Sequence, residues 1–331
     1  MAGAFVLSLD FELYWGVRDS KSLETYKANI LGVREAMSEM LNVFKEYQVK
    51  ATVATVGLLF FDQKDSLTKA IPSSLPVYTN SQYNWFPEYL VHVGENEKED
   101  PLHFGKSLIE SIQKAGIHEI ATHTFSHYYT LEEGADEKSF REDLKAARLC
   151  AQQAGLPFNT IIFPRNQYNR SILEICKEEG LKGFRGTEKS CLYKPKSRVH
   201  ENKFRRLGRL LDSYVNVTGS NTYAWDELID ESGLYNIPSS CFLRPYSKKL
   251  AFLDSLRLKR MKDAMTFAAK NNQVYHIWWH PHNFGINLKK NIAFLRKLLQ
   301  HYQKLHETYS FESHTMTECY NIIQNNEHNR K

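Results

Sequence analysis

The 331-residue sequence predicts an α/β fold, a (β/α) barrel of about seven strands in a single domain with loop insertions. Two observations carry that expectation. Apolar, β-branched runs alternate with amphipathic helical runs along nearly the whole chain. Polar clusters follow the first, third, fourth, sixth and seventh strands, and (β/α) barrels carry their sites at that end of their strands. Periodicity alone does not separate a barrel from a doubly wound sheet; the recurring polar strand ends favour the barrel.

The elements follow in order. Residues 4–9 are a buried strand that delivers Asp10, Phe11 and Glu12 at its C-terminal end. Strand side chains alternate, so Asp10 and Glu12 share a face and Phe11 points away. Two carboxylates at the tip of an apolar strand are costly unless paired, which favours function over a cap or salt bridge. Residues 25–47 carry Tyr26, Ile30, Val33, Met37, Met40, Leu41 and Phe44 at helical spacing, weakened but not broken by Gly32. A second strand spans 49–57.

Residues 62–104 interrupt the rhythm with four prolines between Pro72 and Pro101 and with Tyr78, Tyr83, Trp85, Phe86 and Tyr89. Those aromatics, if exposed, could stack on sugar rings or cover a pocket; the other reading is a structural flap pinned by its own aromatics. The alternation then resumes: helix 104–115, strand 117–121, helix 138–154, strand 159–163, helix 171–179 and strand 183–185. A basic, irregular insertion runs from 186 to 232. A strand tip at 234–238, helix 252–270, strand 274–279, helix 288–306 and a terminal helix complete the domain at 323, with 324–331 as a frayed tail.

Composition limits the alternatives. With 42% apolar and 13% aromatic residues the chain can bury one large core. The net charge of +5 is scattered, and its densest patch, 194–209, has the polarity of an ordinary loop, so nucleic acid is not an expected partner. Within that patch, Arg205 to Arg209 could hold a phosphate handle, although a solvated surface run is the stronger reading. The five cysteines are odd in number and never at CxxC spacing, which argues against a disulfide framework or a thiolate zinc site; Cys150 and Cys176 are expected core thiols. The N-terminus has no basic leader pattern, and no apolar run approaches the roughly 20 residues of a membrane span, so a reduced, cytoplasmic setting is expected.

The chemistry concentrates at the strand tips: Asp10 and Glu12; His123 and His127; Arg165 and Asn166; Ser239, Ser240 and Arg244; His280 and His282. His123 and His127, four residues apart, can close on one metal ion from a helix or a tight turn. Two histidines and one carboxylate with open positions form a catalytic metal set suited to zinc or another divalent transition metal. A second carboxylate and a separate histidine would supply base and acid.

At these residues the chain resembles the polysaccharide deacetylases of the NodB-homology type, the family-four carbohydrate esterases. His123-Thr124-Phe125-Ser126-His127 matches their His-(Ser/Thr)-x-x-His metal motif, with Glu119-Ile120 ahead of it as in the family. Ser8 to Glu12 resembles the first motif, a strand ending in Thr-Phe-Asp-Asp. Phe163-Pro164-Arg165 and His280 are similar to the arginine-proline and Leu-x-His motifs. The resemblance implies the family's distorted (β/α)7 barrel, with Asp10 as catalytic base, His123 and His127 as metal ligands and His280 as general acid. Phe11 stands where the family has its carboxylate ligand. Strand alternation nominates Glu12 in its place, with direct ligation by Asp10 as the other option. Arg165 would orient a carboxylate such as Asp10. Trp279, His282, Asn166 and Arg244 are the expected substrate contacts, although His282 could instead cap a loop.

The implied activity is metal-dependent removal of an acetyl or formyl group from an N-acylated sugar, such as an intermediate of surface-polysaccharide assembly, with Zn2+ as the expected cofactor. Two rivals are an allantoinase-like cyclic amide hydrolase and a non-catalytic carbohydrate-binding protein.

Overall fold

The computed structural model describes residues 1–328. At its centre lies β1 (Ala4–Phe11), every residue of which is buried. Around it stand β2 (Thr52–Thr55), β3 (Glu119–Thr122), β4 (Thr160–Ile161), β5 (Gly183–Phe184), β6 (Tyr235–Asn236), β7 (Cys241–Phe242), β8 (Val274–Trp279) and β9 (Glu312–His314). The strand order is β6-β5-β4-β3-β2-β1-β8-β7, with β9 against the start of β1. Every pairing is parallel.

The sheet curls into a distorted barrel, and one chain segment closes it. Ile237 N donates to Phe184 O and Ser239 N to Gly186 O on one side. Ser240 N donates to His276 O and Leu243 N to Trp278 O on the other. Thus β6 and β7 are two ends of a single stave, and β9 extends the sheet beneath β2. Seven staves result, the (β/α)7 arrangement expected. A one-stave closure of very short strands is why the 241–242 pairing has no signal in the sequence.

Outside lie α1 (Leu23–Leu31), α2 (Val33–Glu46), α3 (Lys64–Lys69), α4 (Lys106–Ala115), α5 (Glu137–Gln153), α6 (Arg170–Glu178), α7 (Lys203–Asp212), α8 (Asp254–Lys270), α9 (Leu288–Tyr309) and α10 (Met316–His328). All but α7 turn apolar side chains inward, as α2 does with Met37, Met40 and Phe44. At the N-terminal rim Glu119 ties three elements together. Its carboxylate accepts from Thr52 Oγ1 at 2.8 Å, from Thr317 N at 3.0 Å and from Thr160 Oγ1.

Four expectations change. The helix expected over 25–47 breaks at Gly32, because the chain beyond β8 needs that space. A Cβ on Gly32 would lie 1.9 Å from Gly285 O, and one on Gly285 would lie 1.9 Å from Asn29 O. Backbone meets backbone there, and Asn29 Nδ2 donates to His282 O, anchoring the loop that carries His280 and His282. In the 62–104 insertion Tyr78, Tyr83 and Trp85 are buried, so those rings pin the flap, to itself through Tyr78 and Tyr83 and to the barrel through Trp85 on Trp15. The irregular 186–232 insertion contains α7. The fraying expected from 324 is not seen over the described residues, since 324–328 continue α10; 329–331 lie outside the described residues. All five cysteines are free thiols, with Cys150 and Cys176 buried as expected.

Candidate metal centre and active-site pocket

Alternation along β1 works as expected. Phe11 enters the core, while Asp10 and Glu12 sit buried at the C-terminal rim. Glu12 is backed by Gly16, where an added Cβ would fall 2.0 Å from the Glu12 carboxyl carbon. Only glycine lets the chain pass behind this carboxylate.

The two histidines come from a loop after β3 and not from a helix. Thr124 and His127 hold left-handed φ values of 64° and 60°, a conformation that costs a non-glycine residue about 1–3 kcal/mol and is worst for a β-branched one. Side chains brace it. Thr124 Oγ1 accepts from Tyr128 N at 2.7 Å. Asp143 of α5 accepts from Phe125 N at 2.7 Å, from Ser126 N at 3.0 Å and from the Ser126 hydroxyl. From the neighbouring stave, Gly57 N and Leu58 N donate to the Thr124 and Phe125 carbonyls. The result brings the His123 and His127 ring centres to 5.1 Å.

Glu12, His123 and His127 offer one ligand atom each, all within 4.8 Å of one another. Glu12 Oε2 lies 3.5 Å from His123 Nε2 and 3.0 Å from His127 Nε2. Ligands held about 2.0–2.2 Å from a tetrahedral ion stand roughly 3.3–3.6 Å apart, so this spacing fits a divalent cation. Protonation argues the same way. His123 Nδ1 faces the Ile162 carbonyl at 2.7 Å, so the proton resides on Nδ1. Its Nε2 then faces a carboxylate oxygen 3.5 Å away, a gap to be filled by a metal ion or by a second proton on the ring. Among the described residues the buried His127 Nδ1 has no hydrogen-bond partner. Burial pulls the His127 pKa below the usual imidazole value although Glu12 opposes it, which favours the neutral ligand form. Burial would raise the Glu12 carboxyl, but His280, His123 and His127 hold it well below the usual carboxylate range.

Asp10 stands apart from this set, paired elsewhere. The fully buried Arg185, at the tip of β5, grips it through two bonds, Nη1–Oδ1 at 2.7 Å and Nη2–Oδ2 at 2.8 Å. Arg185 also donates to Ser8 Oγ at 3.0 Å and to Asn166 Oδ1 at 2.9 Å, and lies 4.1 Å over the Trp278 ring. Beneath, His276 Nδ1 donates to the Ile237 carbonyl, so its Nε2 accepts from Ser8 Oγ at 2.8 Å. Burial pushes the His276 pKa down to about 3, which keeps this ring neutral beside Arg185. Burial also works to raise Asp10, and the charge and hydrogen bonds of Arg185 outweigh it, with help from His123 and His280. Asp10 is therefore an ionised, fixed carboxylate.

Two expected residues need correction. Arg165 does not orient Asp10. The chain turns left-handed at Arg165 (φ 54°), and its guanidinium pairs with Asp19 and Glu132 and packs 3.9 Å from the Tyr129 ring centre. Trp279 does not reach the pocket. It faces outward from β8 into the core, stacked 5.4 Å from Phe284, and Trp278, one residue earlier, lines the pocket. Arg185 and His276 were missed by sequence reasoning. A charged residue closing the short apolar strand 183–185 was the available signal for Arg185; His276 in mid-strand gave none.

His280 and His282 both arrive at the site. His280 Nε2 lies 3.8 Å from both Asp10 Oδ2 and Glu12 Oε1, and its ring is partly exposed to the pocket. His282 is buried behind it, rings stacked at 4.9 Å, with Nδ1 3.7 Å from Glu12 Oε1. Burial holds the His282 pKa down at about 3, so it is a neutral, supporting ring.

These groups floor a cavity of about 590 Å³ whose wall includes Tyr26, Asn166, Tyr193, Phe242, Trp278 and Arg244. Phe242 and Trp278 pack with centroids 4.7 Å apart. Arg244 Nε donates to Ser213 Oγ at 2.6 Å, and no carboxylate pairs with Arg244 among the described residues. The Arg205–Arg209 run divides: Arg205 is buried on the carbonyls of Cys191, Leu192 and Lys194, while Arg209 lines the cavity and pairs with Glu201 at 2.8 Å.

Glu188, also lining the cavity, gives a pH prediction. Burial pushes its carboxyl up to about 7, offset only in part by hydrogen bonds and Arg185. Between pH 4.5 and 7 the unfolded chain has released this proton while the folded chain retains it. Stability contributed by the protonated group is therefore lost as pH rises through about 7, by about 3 kcal/mol in all. Glu188→Gln should flatten that segment of the stability–pH curve in urea melts. An unchanged slope between pH 5 and 8 would refute the assignment.

The polysaccharide deacetylase family model matches residues 31–184. That span contains His123 and His127 and stops short of Asp10, Glu12, Arg185 and His280. Among solved structures, the "putative polysaccharide deacetylase" from Mycobacterium smegmatis superposes with a TM-score of 0.58 at 14% identity, over 99% of this chain and 92% of that one. Puue allantoinase gives a TM-score of 0.53 at 14% identity, over 96% and 88%. The "probable polysaccharide deacetylase" from Pseudomonas aeruginosa PAO1 gives 0.51 at 13%, over 96% and 89%. At such identities the likeness is one of fold. No curated protein matches the chain. A barrel of this type with a Glu-His-His cluster at its C-terminal rim defines the class, that of (β/α) barrels with a candidate metal site. Within it, the chain is similar to the polysaccharide deacetylases, by the family model over residues 31–184 and by fold over nearly its whole length.

Proposed function

We propose that the protein is a metal-dependent amide hydrolase that removes a short N-acyl group from a sugar carrying an anionic group. The observation that supports this most is the meeting of two functional sets of residues in one cavity. Glu12 with the two histidines forms an open three-ligand set, and Asp10 fixed by Arg185 lies across from His280. A divalent ion held by Glu12, His123 and His127, most simply Zn2+, supplies Lewis acidity toward an acyl carbonyl.

The chain's own groups do the rest. Asp10, ionised and immobile, accepts the proton of the attacking water. His280, 3.8 Å from Asp10 and open to the pocket, delivers a proton to the departing nitrogen, without which an amine leaves poorly. His282 and Asn29 hold the His280 loop in place. The adjoining Trp278 and Phe242 rings suit the apolar face of a sugar, and the buried Trp278 Nε1–H, without a partner, suits a hydroxyl. Arg244 offers its fork to a phosphate or carboxylate.

The test pairs metal analysis of the purified protein with an amine-release assay on N-acetyl and N-formyl sugars, free and phosphate-linked. One divalent ion per chain, chelator-sensitive turnover and a preference for the anionic sugars are expected. Full activity in metal-free protein would overturn the mechanism. Allantoin opening in place of amine release would support the cyclic-amide reading, and sugar binding without turnover would support the binding protein.

A further inference from the structure

We infer that α7 and its flanks form an interfacial element that docks the protein on an anionic lipid surface. The helix is inverted relative to an ordinary surface helix, which turns its apolar stripe inward. Phe204, Leu207 and Leu211 recur one turn apart and are 84%, 52% and 54% exposed. Val199 at 87%, Val215 at 58% and Val217 at 61% extend the apolar surface beyond both ends. The polar face is the buried one. Arg205 turns inward onto three backbone carbonyls, and Asp212 accepts from Tyr193 OH, Val217 N and Thr218 N. The helix is thus fixed with its apolar side toward solvent, and no rotation can hide it without breaking those bonds.

Charge selects the occupant. Lys194, Lys196, Lys203 and Arg206, on α7 and the segment before it, are exposed and form no ion pair among the described residues, whereas the exposed Arg198 is held by Asp19 at 3.0 Å. The carboxylates of the same stretch are engaged, Glu201 with Arg209 at 2.8 Å and Asp212 in the interior. A rim of unopposed cations around exposed apolar side chains matches acyl chains beneath anionic headgroups. A second copy of the chain fits less well, since a two-fold contact over this stripe would bring together two copies of the same cationic surface. No helix among the described residues is long and apolar enough to cross a membrane, so the element would lie on the surface. Lys194, Lys196 and Arg209 also line the cavity, so docking sets its mouth against the lipid. This surface is independent of the amide-hydrolase reading, and either can fail alone.

Co-sedimentation of the full chain with sucrose-loaded vesicles tests it. Binding is expected to vesicles of phosphatidylcholine with about 30% phosphatidylglycerol, to weaken as salt rises, and to be much lower on phosphatidylcholine alone. The triple variant Phe204→Ser, Leu207→Ser, Leu211→Ser should lower the partition coefficient about tenfold or more. So should Lys203→Glu with Arg206→Glu, and both variants should keep wild-type circular dichroism melts. Absence of binding to the anionic vesicles, or binding that neither variant weakens, would overturn the proposal. So would a wild-type dimer, seen by sedimentation velocity, that the apolar variant dissociates while vesicle binding is unaffected.

Discussion

An Arg185→Met variant is expected to lose about 3–5 kcal/mol of folding stability, far more than a surface charge is worth. The guanidinium is fully buried and the carboxylate it grips nearly so, so removing the cation strands Asp10 as an unpaired buried charge. The Asp10 pKa should rise in consequence, because the largest influence opposing its burial has gone. In turnover, the acid limb of the pH–rate profile should move to higher pH. Denaturant melts of four proteins separate this from loss of packing: wild type, Arg185→Met, Asp10→Asn and the double variant. Each single variant strands the opposite charge, so the double variant should recover much of the stability while remaining inactive. A double variant less stable than either single one would mean that Arg185 acts mainly through its packing on Trp278.

Asp10→Asn should lower kcat about 10²- to 10⁴-fold, the range usual for a lost general base, while metal content stays at the wild-type level. His127→Ala should lose both metal and turnover. This split separates the two carboxylates, since the Asp10 oxygens are committed to Arg185 whereas Glu12 Oε2 faces both histidines. Measurements belong at a temperature where the variants remain folded. Metal loss in Asp10→Asn, with metal retained in Glu12→Gln, would reverse the two roles and revive direct ligation by Asp10.

Much of the candidate site was legible because local rules apply at strand tips. Period-two alternation set Asp10 and Glu12 against Phe11, and four-residue spacing paired His123 with His127. The conformation of the histidine loop was not legible, since its left-handed Thr124 is sustained by Asp143, a residue of α5. The 186–232 insertion hid α7 for a related reason. Its helical pattern points outward, so an apolar face that normally signals the core signals exposure here.

The sequence by itself determined the alternation of strands and helices and the strand ends that carry Asp10, Glu12, His123, His127 and His280, because strand and helix periods are local properties of the chain; closure of the sheet into a barrel is a property of the tertiary structure. Only the tertiary structure decided the partners across that rim. Arg185, and not Arg165, meets Asp10, since β5 ends beside β1's carboxylate while the chain after β4 turns left-handed and carries Arg165 to Asp19. Trp278, and not Trp279, faces the pocket, since the pairing of β8 with β1 sets Trp278 beside Ser8 and leaves Trp279 beside Leu9 in the core. Strand period says that neighbouring side chains alternate. Register and closure decide which of them sees the site.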